Sequence, residues 1–300
     1  MRRRDHHDND VTMITRRRLA ALVTALASVL ISPAARASGV GDVPLRPEDR
    51  AGVSLSTTGT GSPQSTAAKT LAFIPALAVA YRVTDRWLVT ADVAASMTSY
   101  RFANQERGGV LRLANPMLGV QLEAFESERL KLRVGLAAGA PLVTVPGGIT
   151  ANAAAEHADR AATAATGQRK YWLWARNAIP VVALARLQYE IEELVVRVDL
   201  EPGLLVSVNR DPSSVALLGA FEAAMRVGPL SPGLRLTSLF TSRPRDTNDF
   251  SQTTAAAFLR WDGARSFGGA EVVTGIDGPQ GLTRSDQTSW GATLQAGARF

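Results

Sequence analysis

Along most of this chain apolar and polar residues change places at every second position. That period limits the fold more than any other feature. LKLRVGLAAGAPLV puts Leu130, Leu132, Val134, Leu136 and Ala138 on one side and Lys131, Arg133, Gly135 and Ala137 on the other. LVVRVDLE sets Leu194, Val196, Val198 and Leu200 against Arg197, Asp199 and Glu201. PALAVAYRV, WLVTADVAA, PVVALARLQYE and ALLGAFEAAMRV repeat the pattern. A period of two describes strands with two unlike faces, whereas an amphipathic helix repeats at 3.6. After residue 37 no apolar run approaches the roughly 20 residues that a membrane-crossing helix needs. The chain is therefore predicted to be all-β.

The connections give the architecture. Short polar turns are expected at Thr84–Arg86, Glu126–Arg129, Glu190–Glu193, Gly228–Gly233 and Asp262–Arg265. Longer segments alternate with them: Ser62–Thr70, Ser99–Gly109, Thr144–Asn177, Asn209–Ser214, Arg243–Gln252 and Ile276–Ser289. Short turns on one side and longer loops on the other mark a transmembrane antiparallel up-and-down β-barrel. With Val53–Gly59 as the first strand the count comes to about twelve, an even number, with both termini on the short-turn side. Aromatic residues fall at the strand ends, where girdles meet the two membrane interfaces. Tyr81, Trp87, Phe125, Tyr189, Trp261, Phe267 and Phe300 lie beside the short turns. Tyr100, Phe102, Trp172, Trp174, Phe240, Phe250 and Trp290 lie at the other ends.

Residues 1–37 read as a cleaved signal peptide. Arg16–Arg18 form the basic region, Leu19–Ile31 the apolar region, and Ala35-Arg36-Ala37 the small-residue cleavage site before Ser38. Met13 offers a second start. Residues 38–51 read as an irregular periplasmic lead-in, and 52–300 as the barrel. The leader holds seven arginines and three aspartates, so its removal takes the formal charge from +6 to +2. No basic patch for nucleic acid remains. The chain has no cysteine, which excludes disulfides and thiolate chemistry.

The last row, Trp290, Ala292, Leu294, Ala296, Ala298 and Phe300, ends on an aromatic. It resembles the C-terminal signature of bacterial outer-membrane β-barrel proteins. That resemblance implies an outer-membrane location, contact with outer-membrane lipid, and recognition by the barrel-assembly machinery. Asn115-Pro116-Met117-Leu118-Gly119 is similar to the Asp-Pro-x-Leu-Gly stretch of outer-membrane proteins linked to meta-pathway phenol degradation, with Asn in place of Asp. That second resemblance implies uptake of small aromatic or apolar solutes.

The rows facing inward predict the functional residues. Arg82, Asp92, Glu123, Lys131, Arg133, Arg186, Arg197, Asp199, Glu222, Arg226, Arg235 and Arg299 are the candidate lumen lining. Arginine is in excess, which favours anions in a charged constriction. Two readings stay open: a passive channel for small solutes, and a structural barrel whose lumen is closed by ion pairs. Ala151–Thr166 is predicted to be a helix, with Gly167 as its C-cap. It is either a lid or constriction folded into the lumen, or a surface helix. The general occurrence of girdles assigns the following Trp172 and Trp174 to the membrane interface. An outer-membrane lipid hydrolase would need a base beside a nucleophile. His6, His7 and His157 are the only histidines, and none stands near a serine in a catalytic arrangement. No enzyme activity, metal or cofactor is expected.

Overall fold

The computed structural model describes residues 43–61, 68–102, 107–144, 149–209, 212–242, 251–276 and 290–300. The leader and the start of the lead-in lie outside them.

Each alternating segment forms a strand. They are β1 (Ala51–Gly61), β2 (Ala68–Arg82), β3 (Trp87–Phe102), β4 (Arg107–Leu113), β5 (Met117–Glu126), β6 (Leu130–Gly139), β7 (Ala178–Ile191), β8 (Leu194–Ser207), β9 (Ser214–Met225), β10 (Leu230–Thr241), β11 (Ser251–Asp262), β12 (Ser266–Gly275) and β13 (Trp290–Arg299). All pairings are antiparallel between neighbours. β4 pairs with Ala95–Arg101 of β3, and β5 pairs with Trp87–Asp92 of the same strand. They are two halves of one stave, interrupted at 114–116, where Pro116 has no N–H to offer a ladder. The barrel thus has twelve staves.

The sheet closes because β1 pairs with β2 on one side and with β13 on the other. Gly52 stands opposite Arg299, and Gly61 opposite Trp290. Beyond the ladder, Phe300 N–H donates to Ala51 O (2.8 Å), and the amides of Arg50 and Ala51 donate to Phe300 O (2.7 and 3.0 Å). Closure leaves no unpaired edge, which a strand fold needs in lipid. The connections of two to four residues after β2, β5, β7, β9 and β11 all lie at one end.

The outer face is apolar and exposed all round. Val198 is paired with Phe221, and Phe221 with Leu236. Phe221 is 49% exposed, as is Leu236, and Leu200 is 46% exposed. Leu294, on the far side of the barrel from β6, is 45% exposed. Leu132 and Val134 are half-buried on β6, where Leu132 pairs with the exposed Leu187. A water-soluble protein rarely leaves such a continuous apolar surface open. Lipid is its solvent here. Tyr81, Trp87, Tyr189 and Phe300 are exposed at the short-turn end, with Trp261 half-buried beside them, and Trp290 is exposed at the opposite end.

Candidate functional site

The lumen is filled from both ends by chain rather than left as a bore. The connection from β6 to β7 forms α1 (Ile149–Ala165) and a 3-10 turn, Tyr171–Trp174. Both lie inside the wall. Ala155, Ala158, Ala162 and Ala165 are buried, and the small side chains let the helix lie flat against the inner rows. Gly291 of β13 faces the backbone of Ala165, where a methyl group would have no room. Gly167 (φ +59°) and Gln168 (φ +64°) then reverse the chain inside the barrel. A left-handed backbone of this kind suits glycine.

Beyond that reversal the Trp172 ring lies over Gly203, where a Cβ would stand 2.6 Å from it. Its indole N–H donates to Glu201 Oε2 at 2.8 Å. Trp172, Leu173 and Trp174 are wholly buried, among the inward-facing Ile74, Val182, Leu218 and Leu239. The interface expected for Trp172 and Trp174 is therefore wrong. Nearness to a strand end suggested lipid, but the left-handed turn sends them inward and Glu201 supplies the acceptor a buried indole needs. Phe267 is displaced for a different reason: it lies on the same inward row of β12 as Glu271 and Val273 and packs against Val43. It is buried inside the wall, with the Arg299 guanidinium 5.1 Å from its ring centre.

Polar contacts seat this inner segment. Asp159 is fully buried. It accepts from Arg112 Nε and Nη2, both at 3.1 Å, and pairs with Arg176 Nε at 3.0 Å. Burial pushes the neighbouring Glu156 carboxyl up, and Arg160 and Arg176 more than offset this, holding it below the usual range. Asn115, fully buried in the gap between β4 and β5, clasps the segment's return. Its Nδ2 donates to Ala175 O (2.7 Å), its Oδ1 accepts from Val143 N–H (2.8 Å), and its own amide donates to Leu173 O (2.8 Å). Lys170 Nζ lies 3.5 Å from Asp92, and Gln168 donates to Gln252 at 2.8 Å.

Below the inner segment runs a belt of ion pairs, built by register. Glu123, Arg133, Arg186 and Asp199 stand opposite one another across β5 to β8, and Arg197, Glu222 and Arg235 across β8 to β10. Arg82 (2.6 Å) and Arg133 (2.5 Å) share Glu123. Arg186 (2.7 Å) and Arg197 (3.4 Å) share Asp199. Arg260 binds Glu222 through both its terminal nitrogens, alongside Arg197 at 3.1 Å and Arg235 at 3.8 Å. Arg235 (2.6 Å) and Arg169 (3.0 Å) share Glu271. With Glu201, the belt carries seven guanidinium groups and five carboxylates. Arginine suits this sharing because its planar fork serves two acceptors at once.

At the short-turn end the lead-in does not hang free. Val43 packs inside against Ala78, Ala80 and Phe267. Arg299, also buried, donates to Pro44 O (2.6 Å) and Gly263 O (3.1 Å) and pairs with Asp262. Arg82 Nη2 reaches Arg46 O at 3.3 Å. Residues 43–50 thus pack into the mouth at the short-turn end.

The structure brings nine of the predicted lining residues into these contacts and sets the others apart. Asp92 meets the inner segment, while Lys131 (with Glu126, 2.9 Å) and Arg226 (with Glu190, 2.7 Å) sit as partly exposed pairs at the mouth. Arg260 and Glu271 were missed, although the alternation Phe258–Arg260 and Glu271–Val273 places both inward. Arg112, Asp159, Arg169 and Arg176 carry no signal of their own, because their role depends on where the inserted segment lies. Among the described residues no cluster of metal-binding side chains occurs.

No family model matches the chain, and no curated protein matches it in sequence. Solved structures match in fold. An outer-membrane channel from Pseudomonas putida F1 superposes with a TM-score of 0.57 at 11% identity, covering 87% of this chain and 98% of that one. The NanC porin follows with 0.51 at 8% identity, covering 83% and 100%. Closed twelve-stave wall, lipid-facing apolar surface and these neighbours agree: the chain is an outer-membrane β-barrel.

Proposed function

We propose that this barrel is a passive outer-membrane channel for small solutes, kept shut at rest by its β6–β7 segment and favouring anions when open. One observation carries the reading. Among the described residues, the obstruction of the outer half is a single connection seated by side-chain contacts, not the wall itself. Twelve staves enclose more space than side chains alone fill in an eight-stranded barrel. The arginine surplus of the belt supports the anion preference. The P. putida structure is that of an outer-membrane channel and NanC is a porin, which is consistent with the reading. Among the described residues, the larger apolar cluster that could suit the aromatic or apolar solutes implied by the Asn115–Gly119 resemblance surrounds Trp172 and Trp174, and the segment itself occupies that space.

The runner-up is a structural barrel, and the density of shared ion pairs favours it. Planar-bilayer recording separates the two. The channel reading expects rare single-channel steps from the mature chain and frequent ones after removal of residues 149–174, with a reversal potential under a salt gradient that reports anion preference. Absence of steps from both proteins would leave the structural barrel.

A further inference from the structure

We propose that the short-turn end of the lumen holds a binding site for a small aliphatic monocarboxylate. A cavity of about 90 Å³ opens there between the lead-in and the wall. Its basic lining is Arg82, Lys131, Arg133, Arg186 and Arg197, against two acidic side chains, Glu123 and Glu126. The nearby carboxylates are already shared: Glu123 serves two guanidinium groups, and Asp199 serves two. The fixed charge around the cavity is therefore positive, and the low-dielectric wall focuses that field on whatever enters. A carboxylate fits the donors, since one planar anion accepts from two guanidinium forks together.

The uncharged part of the lining selects the rest of the molecule. Pro44, Leu45 and Pro47 of the lead-in form it together with Phe125 and Leu132 of the wall. The volume is smaller than the roughly 150 Å³ apolar cavity that accepts benzene. A chain of a few carbons fits better than an aromatic ring. The site gives the channel reading its solute class and rests on that reading for its use, although binding itself does not need conduction.

Calorimetric titration of the full mature barrel in detergent tests this, with butanoate as ligand and butylammonium as its charge-reversed match. The proposal expects saturable binding of butanoate, none of butylammonium, and weakening at high salt. Arg133→Gln should weaken butanoate binding about tenfold, the equivalent of one charge-assisted contact. Lys131→Gln, at the partly exposed rim where folding is not at stake, should weaken it less. Equal binding of both ligands, binding of neither, or unchanged affinity in both variants would overturn the site. Butanoate binding without conductance would refute the channel and leave the site. Conductance without binding would do the reverse.

Discussion

Glu222→Gln will destabilise the barrel by about 3–5 kcal/mol, the usual cost of removing one partner from a buried charge cluster. Glu222 is 3% exposed and stands among Arg197, Arg235 and Arg260. Glutamine keeps the shape and one acceptor but removes the only charge that these three share. They then repel across a space that water reaches poorly. Urea unfolding of the barrel in detergent, followed by loss of the fast-migrating folded band, measures the effect. Arg260→Gln in the same chain should recover part of the loss, because it removes the excess cation together with its partner. Additive losses in the double variant would show that the two residues are not coupled.

Asp159→Asn will release the inner segment without unfolding the wall. Asp159 is fully buried between Arg112 and Arg176, and no other carboxylate in α1 holds both. Arg112 keeps the Thr144 carbonyl and Arg176 keeps Glu156, so the loss of the shared carboxylate costs the seated state about 3 kcal/mol, the low end of that scale. Each 1.4 kcal/mol is tenfold in an equilibrium. The open population should rise by about a hundredfold or more, read as the fraction of time that single channels conduct. The urea midpoint of the wall should stay close to that of the parent chain. A fall in that midpoint with no change in channel opening would mean that α1 is part of the fold and not a gate.

The wall was legible because its two faces meet different solvents. Lipid demands Leu200 and Phe221 outside, and the lumen demands Arg197 and Glu222 inside, so alternation and register follow from the residues alone. The short turns were legible for the same reason, as polar breaks between matched rows. The direction of the inserted segment was not. An alanine-rich helix has little contrast between its faces, so Ala151–Thr166 reads as a helix while its destination stays open. The clue lay elsewhere in the chain, in Gly203 and Gly291 on inward rows, where missing side chains make room. Asn115 shows a similar limit. Its neighbours suggested a family motif, yet its work is to satisfy Val143, Leu173 and Ala175, which only the fold brings to it.

Everything about the lumen depends on the outward rows being in contact with hydrocarbon. The direct measurement is refolding of the mature chain from urea into buffer with and without phosphatidylcholine vesicles, followed by far-ultraviolet circular dichroism and heat-modifiable gel mobility. A strand spectrum and a heat-sensitive fast band that appear only with vesicles are the predicted result. A folded, monomeric species in lipid-free and detergent-free buffer would contradict it.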